Sequence, residues 1–372
     1  MNRIHIIVQR FPYPPRRGDQ LAVSKLISAA CAENMEVMVW APSREVRKWN
    51  GTPSNVVFKR LWFNPFRMLW NFIKHPMDPI QVKLFSGYHL TASFSNEIVY
   101  VHSIRMSRVV SSKKFFEINL GAQINHAVEF LELCRESKSN FKRIVYWLET
   151  KLLDRWYRQN LYRFRSVFSV SENEFINYDL KNILVYSHGA NLPLLEGNKS
   201  KSPGNKYTIG FWGNMNFAPN HFAAERFASV SQRFVDEFRF VIFGLGSDGF
   251  RNNQGFRHVE VLGEVESIEE EIDRIDVLLN LVDSGAGFQN KTLEAWCRGV
   301  VVIGFENAFR GLDGSEHLQY IVQNLDELAA HLAAINIYSA PQNTKNFKDW
   351  VGKNRDPNRL NFEKLNSMRE KK

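Results

Sequence analysis

The feature that most constrains this chain is an alternation of short apolar runs with helical patterns that plays out twice, on either side of one polar stretch. Ile4 to Val8 is the first apolar run. A loop rich in Pro, Arg and Gly follows (Pro12, Pro14, Pro15, Arg16, Arg17, Gly18), then a helical pattern over Leu21 to Ala32 with Val23, Leu26, Ile27 and Ala30 on one side, then a second apolar run, Met35 to Trp40. Continuous apolar runs joined by helical patterns are the signature of parallel strands buried on both faces. Ile98–Val101, Lys114–Asn119, Val167–Val170 and Ile183–Tyr186 read as further strands of this half.

Lys199 to Lys206, KSKSPGNK, is polar, carries Pro-Gly and has no apolar period, so it reads as a linker. A second series then begins. Strands are predicted at Tyr207–Trp212, Phe238–Phe243, Val259–Leu262, Val277–Leu281 and Val300–Ile303, and helices at Asn220–Val230 (just after Pro219), Ser267–Ile275 and Lys291–Arg298, the last stopped by Gly299. The expected fold class is α/β, with two Rossmann-like domains at 1–198 and 207–345, the linker at 199–206 and a helical tail at 346–372 packing back on the first domain. A chain of 372 residues suits two such domains of roughly 150–200 residues each. Open parallel sheets bind ligands at the carboxyl ends of their strands, so two sheets facing a central cleft would bring both ligands there.

The charge balance narrows the partners. Forty-eight Lys and Arg against 39 Asp and Glu leave a formal +9, which favours an anionic partner: nucleic acid, a phosphorylated ligand or an anionic membrane. The basic residues form no recognisable nucleic-acid motif, so nucleic acid is not an expected partner. No run approaches the ~20 apolar residues of a membrane span, and the start of the chain does not read as a secretory signal. Cys31, Cys134 and Cys297 form neither a disulfide framework nor a metal spacing, which fits a reducing cytoplasmic setting. Phe58 to His75, FKRLWFNPFRMLWNFIKH, interleaves aromatic and basic residues as an interfacial segment dipping into anionic lipid would, with its helical part after Pro65. An ordinary core helix with a solvated basic edge is the alternative. Tyr146 to Arg165 has a similar composition, but Leu148, Leu152 and Trp156 keep the spacing of a packing helix.

Leu278 to Gly299 carries the most chemistry. An apolar strand runs into a loop of small residues, Asp283-Ser284-Gly285-Ala286-Gly287, and a helix starts near Asn290. The free amides and positive dipole end of such a helix make an anion site. Lys291 in the first turn is unfavourable for the dipole unless an anion joins it. Glu294, three residues on and on the same face, could accept both hydroxyls of a ribose. The same residues would equally fit a plain glycine-rich turn with a solvated Lys–Glu pair.

The run Gly285-Ala286-Gly287-Phe288-Gln289-Asn290-Lys291-Thr292-Leu293-Glu294-Ala295, with Gly299, resembles the donor motif of GT-B glycosyltransferases related to glycosyltransferase family four. Gly210 to Asn220, GFWGNMNFAPN, is similar to the segment that opens the donor domain in the bacterial surface-polysaccharide branch. Phe11 to Asp19 is similar to that branch's proline-rich first loop ending in Gly-Asp. The resemblance spans residues 1 to about 320 in order. It implies GT-B architecture and a nucleotide diphosphate sugar as donor, with Lys291 on phosphate and Glu294 on ribose. It also implies Ser284, Gly285, Ala286 and Gly287 against sugar and diphosphate, Gly213 and Asn214 approaching the phosphates, and Gly18 and Asp19 on the acceptor side. Three positions depart from the pattern: Ala286 stands where many relatives have a first glutamate, Ala22 where an arginine is common, and Glu117 where an aspartate is usual.

His102 follows the strand ending at Val101, and Glu117 and Asn119 end the next expected strand, so all three are candidate catalytic residues facing the acceptor. No Asp-x-Asp is present, which suits a metal-independent reaction without a cofactor; the leaving diphosphate is then stabilised electrostatically. The expected function is transfer of a sugar, with retention implied by the resemblance, to a lipid-linked bacterial surface glycan at the inner face of the cytoplasmic membrane. A GT-B nucleotide-sugar epimerase and a non-catalytic paralogue that binds a partner glycosyltransferase remain alternatives.

Overall fold

The computed structural model describes residues 3–15, 18–42, 53–90, 94, 97–122, 125–137, 139–170, 174–186, 192–195, 206–283, 289–312, 314–335 and 341–369. By its internal contacts the chain divides into two units, Met1–His188 with Pro357–Lys372, and Gly189–Asp356. The expected linker lies outside the described residues except for Lys206.

The first unit runs β1 (Arg3–Ile7), α1 (Gly18–Ala32), β2 (Glu36–Pro42), β3 (Val56–Leu61), α2 (Pro65–Lys74), α3 (Ile80–Phe85), β4 (Ile98–Val101), β5 (Ile118–Gly121), α4 (His126–Glu136), α5 (Asn140–Asn160), β6 (Ser166–Ser169) and β7 (Ile183–Val185). The second runs β8 (Thr208–Trp212), α6 (Ala218–Arg233), β9 (Arg239–Phe243), β10 (Glu260–Gly263), α7 (Ile268–Asp273), β11 (Val277–Asn280), α8 (Asn290–Cys297), β12 (Val301–Gly304), β13 (Tyr320–Ile321), α9 (Leu325–Ala333) and α10 (Pro341–Asn354). The last helix, α11 (Pro357–Arg369), belongs to the first unit, where Leu365 and Met368 are fully buried among Val23, Ile27 and Val37.

Among the described residues each unit holds one sheet, ordered β3-β2-β1-β4-β5-β6-β7 and β10-β9-β8-β11-β12-β13. Every pairing within the two sheets is parallel. The central strands are buried along their whole length, which is why they read as unbroken apolar runs. In both sheets the order reverses beside the unit's first strand, between β1 and β4 and between β8 and β11. In open parallel sheets such a reversal point is where adjacent loops part at the strands' carboxyl ends and ligands bind.

Three elements differ from the sequence reading. The strand expected at Lys114–Asn119 is a 3-10 turn, Ser112–Glu117, followed by β5. Phe115 is pulled inward from that turn and stacks on Phe164 at 4.2 Å, while Phe116 and Glu117 are exposed. Asn119 is therefore the second residue of β5 and Glu117 precedes the strand. Both sit at its amino end, away from the end where His102 follows β4. Residues 56–61, whose latter part fell inside the expected interfacial segment, form the edge strand β3, with Lys59 and Arg60 exposed.

The helix α2 begins at Pro65 itself rather than after it. Proline has no amide to lose at the first helical position, and the Asn64 side chain accepts from the Arg67 amide at 3.1 Å. Its amphipathicity is inverted. The polar side holds the body of the unit, with Arg67 donating to the Arg108 carbonyl at 3.1 Å and Asn71 to the Ser86 carbonyl at 3.4 Å. Phe66, Leu69, Trp70 and Ile73, spaced for one face, point outward, Phe66 at 80% and Ile73 at 74% exposure. The helix α5 divides along its length: Leu152, Leu153, Trp156 and Tyr157 are buried, whereas Phe141, Ile144, Trp147 and Leu148 are exposed. The buried Glu149 carboxylate joins α5 to α3, accepting from the amides of Ile80 at 2.7 Å and Gln81 at 3.1 Å. Among the described residues no helix is long and apolar enough to cross a membrane.

In the second unit α8 is pinned from outside. Trp296 is fully buried, stacks on Phe347 of α10 at 5.7 Å with an interplanar angle of 2°, and meets Trp350 edge-on at 5.5 Å. Phe347→Ala is expected to destabilise the second unit by about 3–5 kcal/mol through the cavity it leaves. Urea unfolding followed by tryptophan fluorescence measures this, and a loss under about 1 kcal/mol would show that α10 is not what holds α8.

Candidate functional site

The crevice between β8 and β11 gathers several side chains singled out from the sequence. β8 delivers Trp212, Gly213 and Asn214 to its carboxyl end. β11 delivers Asn280, Leu281 and Asp283 and leads to α8, which carries Lys291 and Glu294. Ser284, Gly285, Ala286 and Gly287 lie outside the described residues.

Lys291 points back over the sheet. Its Nζ donates to Asn220 Oδ1 at 2.7 Å and sits 5.4 Å from the centre of the Phe211 ring. Asn220, in the first turn of α6, is itself held because its Nδ2 donates to the Asn214 carbonyl at 2.9 Å. Gly213 is what admits this contact. Its φ is +146°, and a Cβ there would stand 2.9 Å from Lys291 Cε and 3.1 Å from Asn220 Nδ2. The residue Lys291 is half-buried, yet its ammonium lies among protein atoms whose hydrogen-bonding partner is a neutral amide. Burial pulls its pKa down to about 8, against the opposing pull of Glu294. Glu294 is positioned by Trp212, whose indole N–H donates to Oε2 at 2.9 Å. The two charged side chains of α8 are thus each tied to β8 or to the turn that follows it.

The surroundings suit an anionic ligand. Gln289 at the start of α8 makes no side-chain cap, although its carbonyl accepts from the Thr292 amide at 3.2 Å, and the positive end of the helix favours an anion there. The entry to the loop is fixed by Arg226 of α6, which donates to the Leu281 carbonyl at 3.1 Å and pairs with Asp283, and by Asn307, which donates to the Asp283 carbonyl. Asn280 is fully buried at the end of β11, and neither polar atom of its side chain has a partner among the described residues. Asn220, Trp212, Arg226 and Asn280 were not singled out from the sequence. Asn220 closed a quoted motif, but nothing in one sequence says that its amide meets a lysine 71 positions later.

The first unit has a second cluster at its own reversal point, between β1 and β4. Gly18 and Asp19 open α1, with the Asp19 carboxylate at the favourable positive end of the helix. Asp19 accepts from Gln9 at 3.2 Å and Arg10 at 2.9 Å. Burial would raise its pKa, but the Gln9 bond, Arg10 and His102 together hold it below the usual carboxylate value. His102 directly follows β4, and its amide donates to the Ile7 carbonyl at 2.9 Å. Its ring is buried, and burial, helped by Lys364, pushes its pKa down to about 3 despite Asp19. Asp19 and His102 therefore belong together. Glu117 and Asn119 do not join them: Glu117 is exposed, and Asn119 is a core residue whose Nδ2 donates to the Val99 carbonyl at 3.2 Å. Among the described residues no group of three or more His, Cys, Asp or Glu is placed to hold a metal ion.

Residues 206–337 match the family model described as "Glycosyl transferases group 1". Among solved structures, sucrose-phosphate synthase from Thermosynechococcus elongatus is similar over 99% of this chain and 98% of that one, with a TM-score of 0.69 and 13% identity. WaaG, a glycosyltransferase involved in lipopolysaccharide biosynthesis, is similar over 98% and 99%, with a TM-score of 0.63 and 11% identity. Anabaena Alr3699/HepE, solved in complex with UDP-glucose, is similar over 98% and 99%, with a TM-score of 0.59 and 12% identity. A sequence search of curated proteins found no match. The second unit thus carries a glycosyltransferase group 1 domain, and the chain has the two-domain GT-B fold. Identities this low speak to fold alone.

A bound diphosphate would favour charged Lys291, so nucleotide binding should take up a proton near pH 8 and weaken as pH rises through that value. Calorimetry in buffers of different ionisation enthalpy reads this directly. An affinity unchanged between about pH 7 and 9 would remove Lys291 from the phosphate contacts.

Proposed function

We propose that this chain is a retaining glycosyltransferase that moves a sugar from a nucleoside diphosphate sugar to a lipid-linked bacterial surface glycan, working peripherally at the inner face of the cytoplasmic membrane. The observation that carries the donor half is the Lys291 ammonium held on Asn220 across Gly213, beside an uncapped helix start and the anchored Glu294. Lys291 and the α8 amides take the diphosphate, Glu294 the ribose hydroxyls, and Gly213, Asn214 and the loop 284–287 the sugar and phosphates. Departure of the nucleoside diphosphate is the step that needs help. Pre-positioned amides and a cation stabilise the charge that develops on it, without a protein base or a cofactor.

Asp19 and His102, at the reversal point of the first sheet, are read as the acceptor side, together with Gly18 at the exposed start of α1. The exposed stripe on α2 supports a lipid-borne acceptor over a soluble one. Phe66, Leu69, Trp70 and Ile73 are flanked by Lys59, Arg60 and Lys74, the combination that binds an anionic interface. An epimerase acting on a soluble nucleotide sugar has no use for that face. Ala22 and Ala286 favour one competing reading, a paralogue that binds a partner without catalysis, and nucleotide binding separates the two.

Lys291→Ala and Glu294→Ala are each expected to weaken nucleotide binding by at least ~1.5 kcal/mol in calorimetry against UDP, GDP, dTDP and CMP sugars. No affinity for any of them in the unmodified protein would leave the non-catalytic reading. Trp70→Ser with Ile73→Ser is expected to cut co-sedimentation with anionic vesicles about tenfold at low salt. Equal sedimentation of variant and parent would move the membrane contact elsewhere.

A further inference from the structure

The last helix brings an unexplained charge into the first unit. Lys364 on α11 is buried, and its Nζ lies 4.6 Å from the Tyr100 ring centre and 5.3 Å from that of Phe168. Burying an ammonium is costly, and a methionine would fill such an aromatic site without that cost. The ammonium donates to the Tyr100 hydroxyl at 3.0 Å, and that hydroxyl lies 3.2 Å from His102 Nδ1. Gly121 of β5 makes the room, since a Cβ there would collide with the Tyr100 hydroxyl and stand 3.3 Å from the His102 Cα.

The directions of these bonds follow from the groups. A charged lysine can only donate, so the Tyr100 oxygen accepts from it and the hydroxyl can give its hydrogen to His102 Nδ1, while the ring's backbone hydrogen bond to Asp19 is made from its other nitrogen. An imidazole that accepts at Nδ1 is neutral and carries its proton on Nε2. We propose that Lys364 is a positioning residue for His102: through the Tyr100 hydroxyl it fixes the ring as the neutral Nε2–H tautomer beside Asp19. This rests on the reading of Asp19 and His102 as the acceptor side. The C-terminal helix is then part of that site, although it contributes no atom to the acceptor.

Among the described residues, the charged and titratable groups set against the ring include Asp19 on α1, Tyr100 on β4 and Lys364 on α11. Lys364 repels a proton on the ring, while Asp19 attracts one and adds a backbone hydrogen bond that favours the protonated ring. Burial brings the pKa of Lys364 itself down to about 7. As pH rises through that value the lysine loses its charge and its hold on the direction of the Tyr100 hydroxyl weakens.

Two variants test this, Lys364→Met and Tyr100→Phe, with thermal melting to show that each is folded. Imidazole nitrogen NMR on His-labelled protein should show His102 as the Nε2–H tautomer, neutral to about pH 5, in the parent. In Lys364→Met its titration should move up by about one unit or more, and in Tyr100→Phe its Nδ1 signal should shift to that of a ring without its donor. At pH 7, kcat for sugar transfer should fall about tenfold in Lys364→Met, with KM for the donor within about twofold. His102 nitrogen shifts and titration unchanged in folded Lys364→Met would overturn the proposal, leaving the lysine a packing residue. His102 signals that shift as expected in the variants, with a parent that transfers no sugar, would instead count against the glycosyltransferase reading while this one stands.

Discussion

The pairing of β8 with β11 governs the candidate donor site. Val277 and Leu278 lie opposite Ile209 and Gly210, so the strand that opens the second unit and the strand that leads to α8 are neighbours although some 70 residues apart. Because both run the same way, their carboxyl ends emerge together. One end supplies a backbone without a side chain at Gly213, and the other a helix start with a lysine in its first turn. Gly210 is part of the same geometry: a Cβ there would stand 2.6 Å from Ile275 Cδ1, so the strand packs against the segment just ahead of β11 only because that side is bare.

The two units repeat one arrangement with different chemistry. In each, the reversal of strand order brings a loop after the first strand beside the end of the fourth. In the second unit the buried charge is positive and waits for an anion. In the first a half-buried carboxylate, Asp19, is already engaged by Gln9 and Arg10 and set beside a histidine kept neutral by burial and by the buried Lys364. The second site therefore gains most from a negatively charged ligand. The first is nearly balanced before anything binds.

The strands were legible because burial on both faces leaves few polar residues to blur the apolar runs. β8, β9, β11 and β12 fall within a residue or two of where the runs placed them. The expected strand at Lys114–Asn119 misled because Phe115 and Phe116 look alike in sequence and meet opposite fates, one stacked on Phe164 and one in solvent. β3 was missed because an edge strand keeps Lys59 and Arg60 on its surface. At the site, Lys291, Glu294 and Gly213 could be singled out because charge and small residues sit in a motif. Asn220, Trp212 and Asn280 could not, since an amide or an indole is unremarkable until its partner is known. Lys364 is the extreme case, a lysine in an ordinary helical tail whose burial is set entirely by tertiary packing.

The return of α11 to the first unit makes that unit discontinuous in the chain. Its sheet is written in the first 188 residues, but Leu365 and Met368 of its core are added only at the far end. The second unit, by contrast, is one uninterrupted stretch. On the ribosome the unit that begins first is the last to be completed, and until then Val23 and Ile27 of α1 lack the side chains of Leu365 and Met368 in their cluster. A fragment cut at the end of β7 would carry every strand of the first sheet and still lack part of its hydrophobic core.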